Sequence, residues 1–170
     1  MKDPVVQDGA PVLRERAKAV AKKDIGSPAL VRLLKKMTQV LKKEEFGVAL
    51  AAPQIGEALR IFVIAGKVFQ EEGEESIPAD KVFINPELAK LSRSKREMSE
   101  GCLSVRGKYG TVVRHERATG RAWGADGKPF VYNGSGLVAH IFQHEVDHLD
   151  GILYIDKAVK LEDESEREAL

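Results

Sequence analysis

"NGSGLVAHIFQHEVDHLDG", residues 133–151, is the stretch on which the reading of this chain turns. It opens with residues that cap helices, carries Leu137, Val138, Ile141 and Leu149 as apolar flanks, and stops at Gly151, which suits the left-handed position after a helix. The pattern predicts a helix over 135–150. At about 100° per residue, His144 and His148 lie one turn apart on one face, so both imidazoles can reach one metal ion. Glu145 stands beside them, placed to touch a water on such an ion rather than the ion itself. This is the HExxH arrangement, two ligands with a general base. A polar helix face with two surface histidines gives the same letters, but the apolar flanks favour burial, and buried imidazoles need partners that a metal supplies. His140 shares the stripe but lies eight residues from His148, about 12 Å along the axis. Metal–nitrogen bonds of about 2 Å do not span that distance, so His140 is expected as a neighbour of the site and not a ligand.

Outward from this helix, "SPALVRLLKKMTQVLKKEE" (27–45) predicts a second one. Ser27 can cap it, Pro28 suits the first turn, and Leu30, Leu33, Leu34, Met37, Val40 and Leu41 form one apolar stripe that reads as core. "RIFVIAGKVF" (60–69) and "KVFINPEL" (81–88) read as strands separated by a solvated acidic loop. "CLSVRGKYGTVVRHE" and "ATGRAWGADGKPFVY" suggest further short strands, with "ADGK" as a hairpin signal. Strands followed by a late helix point to an α+β fold. With 170 residues and no internal repeat or clear linker, one domain over 1–170 is expected, with 157–170 a charged, partly mobile tail.

Lys and Arg total 27 against 26 Asp and Glu, so no global charge steers the chain to nucleic acid or an anionic membrane. No apolar run reaches transmembrane length, and the amino terminus lacks a signal-peptide core. Cys102 is the single cysteine, which excludes an internal disulfide and suits a reducing compartment.

Two histidines leave a catalytic-type metal site one ligand short. The metzincin extension HExxHxxGxxH fails here at its last position, which is Tyr154. Glu162, Glu164, Glu166 and Glu168 crowd a charged terminus better read as solvated. Cys102, in "SEGCLSVRG", remains: either a small buried hydrophobe or the thiolate that completes a Cys–His–His site with one position open for water.

Three motifs in order, "GVALAAPQ" (47–54), "EGCLS" (100–104) and "QHEVDHLDG" (143–151), resemble the peptide deformylase family. The resemblance extends to "VVQDGAPVLRERAKAV" near the amino terminus, "INPEL" (84–88) and "DGKPF" (126–130), and so to residues 5–156. It implies antiparallel β-sheets packed around a central HExxH-bearing helix, with an N-terminal helix. It implies a hydrolase that removes the formyl group from N-terminal formylmethionine of nascent peptides, in a bacterial-type cytoplasm or as the mature form of an organelle protein. By the match, Cys102, His144 and His148 hold one divalent metal, Fe2+ in the cell, with Zn2+, Ni2+ or Co2+ able to replace it. Glu145 is the acid/base, and Gln54 with the backbone N–H of Leu103 binds the formyl oxygen. Gly47, Val48, Ala49, Glu100, Leu137, His140 and Ile141 are the expected substrate-binding residues.

Three features depart from the family pattern. Ala49 stands where the loop usually has a second glycine, adding bulk and restricting φ. His140 occupies a position that usually presents an apolar side chain to the methionine pocket, and is expected to turn its polar tip aside into a hydrogen bond. The acidic end "KLEDESEREAL" argues against ribosome contact through a basic terminal helix, because phosphate repels it.

Overall fold

The computed structural model describes residues 3–165. Its centre is a five-stranded antiparallel sheet in the order β1 (Ala49–Ala51), β2 (Ile61–Ile64), β3 (Lys81–Leu91), β6 (Arg117–Trp123), β7 (Pro129–Ser135). A second sheet joins β4 (Lys95–Cys102), β5 (Val105–His115) and β8 (Lys160–Asp163), also antiparallel. The helices are α1 (Pro28–Lys43) and α2 (Gly136–Leu149). This is the expected α+β architecture.

Strand β2, "IFVI", is buried on both faces, and its alternation distributes two cores. Ile61 and Val63 face the α1 stripe of Leu30, Met37, Val40 and Leu41, together with Leu50. Phe62 and Ile64 face α2, packing with Phe83, Ile141, Phe142 and Leu149. Phe62 and Phe83 stack at 4.7 Å, and Phe142 meets both edge-on at 5.1 and 5.2 Å. Helix α2 thus lies on the large sheet while also touching β5 of the small one. The start of α1 and the end of α2 follow local chemistry, whereas Ser135 at the start of α2 makes no side-chain cap. Ser27 Oγ accepts the Leu30 N–H at 3.3 Å to start α1. Gly151, at φ 75°, ends α2 where an added Cβ would stand 2.5 Å from the Arg14 carbonyl oxygen.

The sequence-based strand 60–69 stops at Ile64, and Gly66–Phe69 forms a 3-10 turn instead. Gly66 is pressed against the Pro78 carbonyl and donates to Asp80 at 2.9 Å, which folds the returning loop onto the strand end. Lys160–Asp163, within the segment read as a tail, is an edge strand on β5. Glu166 and Glu168 lie outside the described residues.

Candidate metal centre and substrate cleft

The β4–β5 turn and helix α2 bring three ligand atoms together. Cys102 ends β4, and its Sγ is 3.3 Å from His148 Nε2. One donor atom each from Cys102, His144 and His148 lies within 4.8 Å of the others, the metal-type cluster found among the described residues. His144 Nδ1 is engaged by Glu100 Oε2 at 2.7 Å, which leaves Nε2 as the free ligand atom. Glu145 is 3% exposed and its Oε2 has no hydrogen-bond partner. Burial pushes its carboxyl up to about 7, with the His144 charge opposing. Burial, then the positive charge at His144, holds His148 well below its usual range, as an uncharged ligand requires. His144 behaves oppositely: burial would lower it, but hydrogen bonds to Cys102 and Glu100 outweigh that and hold it well above. The Cys102 sulfur and the Glu100 carboxylate therefore draw positive charge to the spot where the two imidazoles converge, which suits a divalent ion.

Gln54 sits on the opposite wall. The 3-10 turn Ala52–Ile55 buries it, and its Oε1 accepts the Ala51 N–H at 2.9 Å. The amide orientation is fixed by that bond, so Nε2 points to Ser104 Oγ at 3.2 Å and Cys102 Sγ at 3.5 Å. Leu103 follows the cysteine, its carbonyl held by Gln7 Nε2 at 3.0 Å. The amino-terminal segment binds both walls, since Val6 N–H donates to the Gln54 carbonyl and Asp8 N–H to the Ser104 carbonyl, each at 2.8 Å.

A family model described as polypeptide deformylase matches residues 2–164. The chain belongs to the peptide deformylase family. It is 40% identical over 157 residues to a peptide deformylase of Desulforudis audaxviator, spanning 92% of this chain and 94% of that one. A crystal structure of a Legionella pneumophila peptide deformylase superposes with a TM-score of 0.78 at 38% identity, covering 90% of this chain and 83% of that chain. A Met-Ala-Ser-bound class I type b peptide deformylase from Acinetobacter baumannii gives 0.80 at 31% identity, covering 91% and 96%.

In this chain a cleft of about 560 Å3 opens onto the candidate metal centre and is lined by Gly47, Val48, Ala49, Glu100, Leu137, His140 and Ile141, with Gln54, Cys102, Leu103, His144 and Glu145. Ala49 forms an ordinary strand pair with Ile64. Among the described residues only Asn85 combines a side chain with positive φ, so alanine at 49 strains nothing. His140 is not a member of the ligand cluster; its Nε2 stands 2.5 Å from Glu100 Oε1. Tyr154, at the failed metzincin position, stacks on His144 and donates to the Lys108 carbonyl at 2.9 Å.

Glu100 lines the cleft but commits its carboxylate elsewhere. Besides His144 and His140 it accepts both Nε and Nη2 of Arg114, whose Nη1 donates to Asp147 at 2.8 Å. Burial would raise Glu100, yet the bonds to Arg114, His140 and His144 hold it well below the carboxylate range. His144 is thus supported through a buried chain of contacts that reaches the surface at Lys157, 2.9 Å from Asp147. Sequence reading did not find Arg114, Asp147 or Gln7. The "D" of HExxH's interior and an arginine in an apolar strand were the available signals.

Proposed function

We propose that this chain removes the formyl group from N-formylmethionyl nascent peptides, using a divalent metal held by Cys102, His144 and His148. The observation that carries this reading is the convergence of those three donors with a buried, unpartnered Glu145 carboxylate and the Gln54 amide at one cleft. When bound, the ion lowers the pKa of a coordinated water towards neutrality and polarises the formyl carbonyl.

The remaining chemistry belongs to side chains. Glu145 takes the proton of the attacking water and holds it in a site where burial favours the protonated carboxyl. As the C–N bond breaks it passes that proton to the departing amine, leaving formate and a free amino terminus. The Gln54 amide and the Leu103 N–H donate to the formyl oxygen as it gains negative charge. Glu100, fixed by Arg114, keeps His144 in its tautomer and orientation. The peptide lies in the 560 Å3 cleft, in keeping with the Met-Ala-Ser carried by the Acinetobacter relative.

One thiolate and two imidazoles accept Fe2+, Zn2+, Ni2+ or Co2+. Ferrous iron is the ion proposed for the cell, and beside a thiolate it makes activity fade in air. The proposed setting is cytoplasmic, near the ribosome. Among the described residues no helix is long and apolar enough to cross a membrane. Glu162, Asp163 and Glu164 disfavour contact with ribosomal RNA through the carboxyl end.

The test is anaerobic incubation of the ferrous-loaded protein with formyl-Met-Ala-Ser and acetyl-Met-Ala-Ser in parallel. Formate release from the first with the second intact is expected. Cleavage of neither, with the metal bound, would refute the reading.

A further inference from the structure

We infer that the outer face of helix α1 is a docking surface for the phosphate backbone of double-helical RNA. The choice of RNA among polyanions rests on the nascent-peptide reading above, because a peptide still being made emerges beside RNA. The near balance of charge over the whole chain conceals an uneven distribution. Residues 16–43 hold nine of the 27 Lys and Arg but one of the 26 Asp and Glu, Asp24. In α1 five cations, Arg32, Lys35, Lys36, Lys42 and Lys43, are all exposed. At about 100° per residue they fall within about 120° of the circumference, opposite the stripe of Leu30, Met37, Val40 and Leu41. No carboxylate lies between Asp24 and Glu44 in the chain, and Arg106 already holds Glu44 at 2.9 Å. Among the described residues none of the five cations has an ion-pair partner.

A helix face that serves only to stay in water mixes both signs and sets acids one turn before bases. Here Arg32 and Lys36 stand one turn apart with like charge, and positive potential runs uncompensated for about 16 Å from Arg32 to Lys43. Two other anionic partners fit less well. A helix lying in a lipid surface turns its apolar face to the acyl chains, and that face of α1 is packed into the core. Protein interfaces are depleted in lysine and close on an apolar centre, whereas four of these five cations are lysines. A phosphate backbone requires only cations spaced along a rod. The stripe also ends where the cleft begins. Lys43 lines the cleft beside Glu45, Phe46 and Gly47, so RNA lying along α1 leaves the cleft mouth at its end.

The test titrates the full chain, up to about 100 μM, into a fluorescein-labelled RNA duplex of about 20 base pairs and reads anisotropy at about 50 to 200 mM salt. With the five cations on phosphates, log K falls against log salt with a slope of about −4, which is about 250-fold across that range. Lys35→Gln/Lys42→Gln is expected to make the slope shallower by about two. Lys90→Gln/Lys95→Gln, which removes two exposed cations of β3 and β4, is expected to leave it unchanged. No binding at the lowest salt, or equal slopes in the two variants, would overturn the inference. Retention on phosphatidylserine vesicles without duplex binding would overturn it in favour of a lipid surface. Formate release from formyl-Met-Ala-Ser, read for every protein, judges the underlying activity separately from the RNA surface. Should Lys35→Gln/Lys42→Gln fail to fold, the slope of Arg32→Gln/Lys36→Gln decides.

Discussion

Arg114 shows how much of the site is carried by a residue that touches none of the three proposed metal ligands. Its side chain is 3% exposed and joins Glu100 to Asp147. In "YGTVVRHE" it reads as the polar side of a strand, because arginines are seldom buried and its apolar neighbours are only a weak local signal. His144, His148 and Glu145 were legible because helical spacing fixes their mutual geometry. Cys102 was legible only through its motif, since 42 residues separate it from the first histidine and only tertiary structure joins them. Replacing Arg114 by Leu strips buried Glu100 of its arginine and leaves Asp147 with Lys157 alone. Breaking such a pair costs about 3–5 kcal/mol, and urea unfolding should show a loss of that order. Gln54 is the opposite case, visible in a motif and positioned by one bond to Ala51. Gln54→Ala should lower kcat about 100-fold or more through loss of an oxyanion donor, with metal content unchanged. Retention of full kcat would remove Gln54 from the mechanism.

At the scale of elements, the helices were the readable part. The α1 stripe and Ser27 cap place that helix within two residues of its observed ends, and Gly151 terminates α2 as its type suggests. Strands β1, β4 and β8 were not resolved from sequence. Three alanine-rich residues carry no period, and "KREMSEGC" and "KLED" carry the charges typical of small or edge strands. What seats α2 on the large sheet is a glycine. An added Cβ at Gly120 of β6 would lie 2.1 Å from Phe142 Cζ, inside a ring already packed on Phe62 and Phe83. Gly120→Ala should therefore destabilise by about 1–3 kcal/mol as an overpacked core position, visible as a lowered denaturation midpoint. An unchanged midpoint would mean that Phe142 does not fix the helix.

For the whole molecule, the site joins segments from the full described length. Val6 and Asp8 are bonded to the Gln54 and Ser104 carbonyls, β4 supplies Cys102, and α2 supplies both histidines. A metal bound there cross-links these segments, so it should act as a folding ligand. At 100 times its Kd it contributes about 2.7 kcal/mol, and chelation should lower Tm by about 5–10 °C in a chain of this size. Differential scanning calorimetry with and without chelator checks it, and coincident transitions would contradict the proposed ligand set. The central claim is that one constellation binds metal and, separately, moves a proton through Glu145. The most direct measurement pairs metal content with anaerobic formate release for wild type and Glu145→Ala. The account predicts one ion per chain in both and turnover reduced at least about 100-fold in the variant. Turnover surviving in a metal-loaded Glu145→Ala protein would contradict it.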